Sequence, residues 1–351
     1  MLASPAAEMP HKRPTIQDVA RAARVHPSTV SRVLNPRTRG LVSPAVAKRV
    51  ESLARRLGYT PDPVAAGLRT RRSATVGVLI PDMANPVFPL ILRGIESALM
   101  AGGYTAIITN TDNDPARARE ALDRLAARRV EGAILATATL RDPVLARCRA
   151  LGLPVVLVNR SVPGDKVSAV VNDDAAGIAL AVGHLLALGH RAIGHVAGPG
   201  RISTGQARRA GFAAALRARG MAAPAVPAAN YDIAAGERAC SELLAANPRL
   251  TAIVAANDLL ALGCYDALAR RGAACPREVS ITGFNDITFA DRFAPPLTTV
   301  RIPHRVMGEQ AGRLLLAEIE DPQAPKQEIK LEPVLVVRGS TAPPRTKRRK
   351  P

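Results

Sequence analysis

The sequence has few of the features that mark exported, membrane-bound or disulfide-stabilised proteins. It has four scattered cysteines, without a CxxC pair or metal-ligand spacing, and we interpret Cys148, Cys240, Cys264 and Cys275 as packed thiols. No apolar run approaches the ~18 residues that a membrane helix needs. The N-terminal stretch MLASPAAEMPHKRPT also lacks the continuous apolar segment of a signal peptide. We therefore expect a cytoplasmic protein with no membrane partner.

Signatures of catalysis are also missing from the sequence. The histidines show neither HxxxH nor HxH spacing, and no GxSxG or GxxxxGK motif occurs. The segment GPGRIS (198–203) matches only half of a dinucleotide fingerprint, because the third glycine is absent. We expect no catalytic residues, no metal and no cofactor.

Positive charge is concentrated at the two ends of the chain. Residues 1–72 carry 14 Lys and Arg against 4 Asp and Glu, and residues 341–351 carry 5 basic and no acidic residues. These two segments hold 15 of the net 19 positive charges. A basic terminal segment on a nearly neutral body favours a polyanionic partner such as nucleic acid. The C-terminal run by itself is more typical of a solvated, disordered tail.

Capping residues and apolar spacing predict three short helices before residue 60. The first starts after Thr15, and the second has Pro27 at its first position. The third starts after Ser43, which we expect to cap it, and stops at Gly58. The residues predicted to form a shared core are Ile16, Val19, Ala20, Ala23, Val30, Val33, Leu34, Val46, Val50, Leu53, Ala54 and Leu57.

The second helix, within VHPSTVSRVLN (25–35), has an outward face unlike most solvated helix faces. It presents Ser28, Thr29, Ser31 and Arg32 where Glu and Lys are usual. In a helix-turn-helix, short side chains let the backbone approach the DNA major groove, and an Arg can bind guanine in bidentate fashion. A helical hairpin without this function would show the same apolar spacing, but the basic N-terminal segment favours DNA binding.

The stretch TIQDVARAARVHPSTVSRVLN (15–35) resembles the helix-turn-helix of the lactose/galactose-repressor family of transcription regulators. The likeness extends to about Ser340. The resemblance implies that Arg32 reads guanine and that Pro27 and Ser28 discriminate between operators. It also implies phosphate contacts for Thr15, Ser31, Asn35 and Ser43.

This segment departs from the family pattern at three places. Arg24 stands where the turn usually has Gly, so a non-glycine residue has to adopt positive φ at a cost of about 1 kcal/mol. His26 stands where the helix cap is usually Ser. The loop NPRTRGLVS (35–43) is longer than the common form, which leaves the roles of Arg37 and Arg39 open.

Residues 61–73 include a helical pattern that is too short and too rich in glycine to be stable alone, since an isolated helix needs ~12 residues. One interpretation is a basic interdomain linker. The resemblance implies instead the family's hinge helix, which folds on DNA beside its dimer mate. Leu68 then matches the leucine wedged into the minor groove, and Ala65 matches the small residue at the helix contact. The family more often has Asn at Asp62 and Arg at Ala66.

From residue 74 the chain alternates apolar strands and amphipathic helices, and it does so twice. ATVGVLIPD opens one half and RAIGHVAGP the other, and a further short strand is expected near ANYD (229–232). Such strands predict α/β units with parallel sheets covered on both faces, which bind ligands at the carboxyl ends of the strands. Two halves imply two lobes and a cleft. The resemblance implies the type I periplasmic-binding-protein fold, with crossings near 171, 301 and 332.

Strand ends and the resemblance identify the candidate effector residues. Amide and guanidinium donors beside an aromatic ring suit a sugar or a sugar acid, whose carboxylate or phosphate Arg208 is able to bind. The resemblance makes Arg208 the effector-binding arginine and Tyr231 the stacking aromatic. Structural roles are the alternative, with Phe88 in the core and Arg208 on a solvated helix face. The family often has Asp where Asn285 stands. The candidates are Val87, Phe88, Asn159, Arg160, Thr204, Arg208, Tyr231, Asn257 and Asn285.

The sequence thus predicts a nucleoid-associated homodimer that represses transcription and responds to a small molecule. A dimer follows because one recognition helix covers few base pairs, whereas two related helices read a pseudo-palindromic operator. A sugar-binding protein of a transport system would leave residues 15–72 unexplained. A sugar-converting enzyme would need acid–base or phosphate-binding residues that the sequence does not show.

We expect the following domain boundaries. The N-terminus is disordered over 1–13, the helix-turn-helix domain spans 14–60, the hinge spans 61–73, the effector and dimerisation domain spans 74–340, and the basic tail spans 341–351. Within the effector domain, lobe one is assigned to 74–171 and 302–331, and lobe two to 172–300 and 332–340.

Overall fold

The computed structural model describes residues 14–35, 38–60 and 72–345. The chain divides into two compact units between Ser73 and Ala74. The predicted disordered N-terminus, the hinge positions Ala65 and Leu68, and the tail from residue 346 onward lie outside the described residues.

The smaller unit is a cluster of short helices. Its described part contains α1 (Ile16–Ala23), α2 (Pro27–Leu34) and α3 (Pro44–Leu57), with a 3-10 turn at Arg39–Leu41 before α3. Helices of this length are marginal alone, so burial of their apolar faces against one another stabilises them. The fully buried side chains are Val19, Ala20, Ala23, Val30, Val33, Ala47, Val50 and Ala54.

Local hydrogen bonds fix the ends of α1 and α2 as the sequence predicted. The Asp18 amide donates to Thr15 Oγ1, and the Thr15 amide donates to the Asp18 carboxylate at 2.9 Å, which completes a capping box. At the start of α2, His26 Nδ1 accepts from the Ser28 amide at 3.2 Å, so an imidazole acts as the cap. Arg24 adopts the left-handed conformation, with φ 51° and ψ 49°.

Two predictions for α3 are wrong. Ser43 occupies the cap position, but its side chain makes no capping hydrogen bond. The first amides of a helix have no partner within the helix and usually need a cap. Pro44, at the first helical position, has no N–H, so α3 has one amide fewer to satisfy. Leu57 is 39% exposed rather than buried. It lies in the last turn of a 14-residue helix that is longer than the 8-residue helices packed against it.

The larger unit alternates strands and helices. In chain order its elements are β1 (Thr75–Ile80), α4 (Val87–Ala101), β2 (Thr105–Asn110), α5 (Pro115–Ala127), β3 (Gly132–Leu135), α6 (Pro143–Ala150), β4 (Val155–Val158), β5 (Ser168–Asn172), α7 (Asp174–Ala187), β6 (Ile193–Ala197), α8 (Ser203–Arg217), β7 (Ala225–Pro227), α9 (Ile233–Ala246), β8 (Ala252–Ala255), α10 (Asp258–Arg270), β9 (Ser280–Asn285), β10 (Thr298–Arg301), α11 (His304–Glu320), β11 (Glu328–Leu331) and β12 (Val334–Val336).

The described strands form two six-stranded sheets. Sheet one has the order β11-β5-β4-β3-β1-β2, and all its pairings are parallel. Sheet two has the order β12-β10-β9-β8-β6-β7, and only β12 is antiparallel to its neighbour. Every residue of β3, β4 and β8 is buried, as expected for sheets that helices cover on both faces.

Each sheet and its helices form one lobe. Lobe one comprises sheet one with α4, α5, α6 and α11, and lobe two comprises sheet two with α7 to α10. The chain passes between the sheets after Asn172, after Arg301 and after Leu331. Helix α11 packs closely on α4 at Gly308. A Cβ atom at this position would collide with the Ile91 carbonyl oxygen, so the contact requires glycine.

Lobe two differs from the sequence predictions at two places. The strand expected near ANYD lies earlier, at Ala225–Pro227, and residues 229–232 bend so that Asp232 caps α9. Residues 341–345, assigned to the tail, lie along lobe two. The Ala342 amide donates to Ser280 Oγ at 3.0 Å, and the Ala342 carbonyl lies 2.9 Å from His190 Nε2. None of the described helices has the length and apolar character to cross a membrane.

Candidate DNA-reading helix and effector cleft

Helix α2 carries most of the residues predicted to contact bases. Burial of Val30 and Val33 fixes its orientation on the other helices and leaves Arg32 exposed. Thr38 Oγ1 donates to the Arg32 carbonyl at 3.0 Å and so holds the following loop against the helix. The Arg32 guanidinium makes no hydrogen bond or ion pair to the described residues, so it is available to a partner. The predicted residues on α2 are Pro27, Ser28, Thr29, Ser31 and Arg32.

The predicted phosphate-contacting residues outside α2 lie at helix ends. Thr15 caps α1, Asn35 ends α2 and Ser43 precedes α3. Thr15 Oγ1 donates to Asp18 Oδ2 at 2.7 Å, so its hydroxyl proton is already engaged. A phosphate bound by this hydroxyl would have to replace that carboxylate.

All nine predicted effector residues line one cavity between the two lobes, with about 680 Å³ of space outside protein atoms, including the part open to solvent. Sequence reasoning missed six further polar residues of the lining. The rule that ligands lie at strand ends would have found several of them, because they follow β1, β2 and β6. The missed residues are Asp82, Asn85, Asn113, Arg201, Asn230 and Asp232.

Arg208 is buried in the cleft wall, not on a solvated helix face. Its Nε donates to Asp174 Oδ1 at 2.9 Å, its second terminal nitrogen lies 2.8 Å from the same oxygen, and its first donates to the Ala256 carbonyl at 2.7 Å. Burial raises the pKa of Asp174, and Arg208 opposes that rise. Three contacts thus fix the guanidinium plane before any ligand binds.

Aromatic rings surround the Arg208 guanidinium. Its Cζ lies 3.8 Å from the centre of the Phe284 ring and 6.0 Å from that of Tyr231. Tyr231 Oη donates to Thr204 Oγ1 at 3.3 Å, and burial raises the pKa of this phenol. Gly198, in the segment that half-matches a dinucleotide fingerprint, has a local role, because a Cβ there would collide with the Tyr231 ring.

Three of the cleft asparagines lie at or just after strand ends, and two of them have positive φ. Asn257 caps α10, where its Oδ1 accepts from the Leu260 amide at 2.8 Å. Asn159 has φ 65° and Asn285 has φ 115°, both in the left-handed region. Such backbone strain concentrates at binding sites, where it orients a polar side chain. Phe88 both lines the cleft and belongs to the core, with 3% exposure, so the two interpretations of this residue are compatible.

A buried carboxylate supports the segment that follows Asn285 at the end of β9. Asp258 Oδ2 accepts from the Ile287 amide at 2.8 Å, and its Oδ1 accepts from Thr299 Oγ1 at 2.5 Å. Burial raises the pKa of Asp258 to about 7.

Within the described residues, no group of three or more His, Cys, Asp and Glu side chains could hold a metal ion.

A DNA-reading helical unit joined to a two-lobed ligand-binding unit defines a ligand-responsive DNA-binding protein. Residues 15–62 match the family described as bacterial regulatory proteins, lacI family, and residues 182–341 match a periplasmic binding protein-like domain. The ribose operon repressor of Halalkalibacterium halodurans is 33% identical over 327 residues, which cover 93% of this chain and 97% of that protein.

Two solved structures support the same assignment. The Lac repressor dimer bound to operator and the anti-inducer ONPF is 27% identical, with a TM-score of 0.82 over 94% of this chain and 100% of that chain. The transcriptional regulator CelR in complex with cellobiose is 31% identical, with a TM-score of 0.71 over 93% and 100%. The chain belongs to the lacI family of bacterial regulatory proteins. It is a DNA-binding transcriptional regulator under allosteric control by a small molecule.

Proposed function

We propose that this protein is a homodimeric repressor that reads a pseudo-palindromic operator through α2 and that a sugar or sugar acid bound between the lobes changes its operator affinity. The cleft lining carries this proposal. Fixed guanidinium and amide donors beside the Tyr231 ring match the hydroxyl groups and apolar face of a sugar ring. Relatives named for ribose and cellobiose support the same class of ligand.

The nine predicted effector residues come from both lobes and line the same cleft, so a bound ligand contacts both lobes at once. We infer that it favours one arrangement of the lobes over another. A ligand shifts such an equilibrium only by its differential affinity for the two arrangements, typically about 1–3 kcal/mol. By the family resemblance, the hinge with Ala65 and Leu68 carries the change to the operator, and Thr15, Ser31, Asn35 and Ser43 hold the DNA backbone.

The proposed dimer uses an apolar groove on lobe one. The groove lies between α4 and the edge strand β2, and its occupant in this proposal is a second copy of the chain. Met100 is 71% exposed and Ile108 is 44% exposed, in a surface that Tyr104 continues. Among the described strands β2 pairs only with β1, so its outer edge offers backbone hydrogen-bonding groups beside this apolar surface. The Lac repressor relative is a dimer on its operator, which supports the same assembly here.

In this proposal the protein binds operator DNA and a cleft ligand and catalyses no reaction. It acts on the chromosome in the cytoplasm. A transport binding protein, the first alternative, does not account for residues 15–62, which match the lacI family. For a sugar-converting enzyme, the second alternative, the cleft would have to supply a general acid and base. The Asp82 and Asp232 carboxylates accept from the Ala84 and Ala235 amides at 2.9 and 2.7 Å, which suits structural roles.

Selection of binding sites from random DNA, followed by affinity measurements, tests this function. The full chain should select a two-fold symmetric site. Arg32→Ala should lose about 1–3 kcal/mol of affinity for that site and much less for a scrambled sequence, because only a base contact is specific. Arg55→Ala, an exposed arginine near the end of α3, is the matched control. An equal loss on both sequences would reduce Arg32 to a phosphate contact, and selection of no sequence would refute the proposal.

A further inference from the structure

We propose that a side pocket of the cleft, formed mainly by lobe one, binds an anionic group of the effector, a carboxylate or a phosphate, through Arg160 and Thr137. The proposal rests on the assignment of the cleft as the effector site and specifies the chemistry of the ligand. It differs from the earlier expectation that Arg208 takes the anion, since Asp174 already balances the charge of Arg208.

The side pocket opens beside the main cavity at the carboxyl ends of β1 to β4. Its walls include the first residues of α5 and α6, and it shares four residues with the main cavity. The shared residues are Pro81, Asn113, Arg160 and Arg201. A ligand in the cleft can therefore extend one substituent into this pocket.

Two buried polar atoms in the pocket lining lack a hydrogen-bond partner within the described residues. They are Arg160 Nε and Thr137 Oγ1, on residues that are 6% and 8% exposed. The residues adjoin, because an Arg160 terminal nitrogen donates to the Thr137 carbonyl at 3.2 Å. Leaving buried donors unpaired costs free energy, so native proteins normally supply a partner. Arg160 and Thr137 therefore form a buried polar end of the pocket whose hydrogen-bonding capacity the described residues do not fully meet.

The charge of Arg160 points to an anion rather than to a neutral hydroxyl. No carboxylate pairs with Arg160 in the part of the chain that the structure describes, and burial lowers its pKa to about 10. A buried cation without a counter-ion is costly, and a ligand anion would restore the balance. Arg201 adds a second positive charge at the pocket mouth, where its donors contact the Ala229 carbonyl and Asn230 Oδ1 rather than a carboxylate.

Two carboxylates also face the pocket, and their contacts make them helix caps. Asp114 Oδ1 accepts from the Ala116 amide at 2.8 Å at the start of α5. Asp142 accepts from the Val144 and Leu145 amides at the start of α6, at 2.8 and 2.9 Å, and from the Thr139 amide. Helix amides, with Arg117 at 3.9 Å from Asp114, therefore offset both negative charges, and no carboxylate of the described residues forms an ion pair with Arg160 or Arg201.

The side pocket also lies where the lobes touch. The Leu140 amide of lobe one donates to the Arg201 carbonyl of lobe two at 3.0 Å, and the Ser161 amide donates to Ser203 Oγ at 2.9 Å. An anion held by Arg160 from one lobe and approached by Arg201 from the other would favour this contact. Recognition of the anion is thereby linked to the arrangement of the lobes.

Thermal unfolding of the full chain with inorganic phosphate, acetate, chloride and D-ribose tests the proposal at constant ionic strength. Phosphate or acetate should raise the Tm by about 2–4 °C when present at about tenfold its Kd, and the stronger of the two identifies the anionic group. Arg160→Gln should abolish this shift, and Thr137→Val should at least halve it. Arg147→Gln, an exposed arginine on α6 paired with Asp123, should retain it.

The possible results separate this proposal from the proposed function. Equal responses to both anions and to chloride, or a full response in Arg160→Gln, would overturn the anion pocket. Stabilisation by D-ribose without any anion effect would overturn it while leaving the sugar cleft intact. An anion effect that depends on Arg160, without any effect of D-ribose, would support the pocket and contradict D-ribose as the cleft ligand. A higher Tm for Thr137→Val with an unchanged phosphate shift would show that the orphaned hydroxyl has no binding role.

Discussion

Arg208 and Asp174 form an ion pair in which the side chains are only 3% and 8% exposed, with 2.8 Å between the guanidinium and the carboxylate. The pair joins α8 to the start of α7 at the wall of the cleft. Buried pairs contribute little net stability, because desolvation offsets their attraction, but removal of one partner leaves an uncompensated charge. The pair therefore makes Arg208 a rigid donor, and it complicates any single substitution there.

Arg208→Ala is expected to lose the ligand response and also to destabilise the larger unit by about 3–5 kcal/mol, because Asp174 would stay buried and unpaired. The double variant Arg208→Gln with Asp174→Asn removes both charges and should recover most of that stability without recovering ligand binding. Urea unfolding and calorimetry with the identified effector measure the two effects separately. Normal effector binding by the double variant would show that Arg208 serves structure alone.

The groove between α4 and β2 predicts an effect on assembly. Met100→Glu combined with Ile108→Glu should shift the full chain from dimer to monomer, since charges cannot be buried cheaply in an apolar contact. Leu151→Glu, at a 39% exposed apolar residue of lobe one outside the groove, is the matched control. Sedimentation velocity distinguishes the species. A dimer that survives the double substitution would place the interface elsewhere.

Asp258 predicts a pH dependence of stability. Its pKa is raised to about 7 by burial, so the folded chain holds this proton over a range where the unfolded chain has released it. The Asp258 contribution to stability therefore falls as the pH rises from about 4 and levels off above about 7, and about 1 kcal/mol of this loss lies in the window between about pH 6.5 and 8. Burial lowers the pKa of His195 and His304 to about 4, so these groups act below that window.

Asp258→Asn isolates this effect, because the amide does not titrate and can still accept one of the two hydrogen bonds. Urea unfolding at several pH values, followed by circular dichroism, should show a flatter profile for the variant between about pH 6.5 and 8. Parallel profiles for the two proteins would assign the pH dependence to other groups.

Arg24 predicts a stabilising substitution in the DNA-reading unit. A non-glycine residue at φ 51° costs about 1 kcal/mol, which Arg24→Gly should recover in part, because glycine loses more backbone entropy on folding. Hydrogen exchange in peptides covering 16–34 of the full chain should slow severalfold. Faster exchange would mean that the Arg24 side chain contributes more than its backbone conformation costs.

The sequence predicted the elements that depend on local pattern. Val30 and Val33 are buried as their spacing required, and Thr15 and His26 cap helices because capping involves neighbouring residues. Strand ends identified the cleft because parallel sheets place their carboxyl ends together. For Arg208 the sequence allowed either an effector contact or a solvated helix face. Its own helix does not reveal the buried partner Asp174, which lies 34 positions away.

Long-range contacts explain what sequence reasoning missed. Ser340 is 0% exposed because its hydroxyl donates to the Ile281 carbonyl and accepts from the Thr298 amide, and these contacts draw the following residues onto lobe two. Nothing local to residues 341–345 signals this. Arg201 follows β6, so the strand-end rule could have placed it in the cleft, but its contact with Leu140 of the other lobe depends on residues far away in sequence.

Allosteric control is tested most directly by the affinity of the full chain for its selected operator with and without a saturating cleft ligand identified by calorimetry. We expect the ligand to change this affinity by about 5–150-fold on the operator and not at all on scrambled DNA, because it shifts an equilibrium between lobe arrangements to which only the specific complex is sensitive. An operator affinity that stays the same while the ligand occupies the cleft would show that the cleft does not control DNA binding.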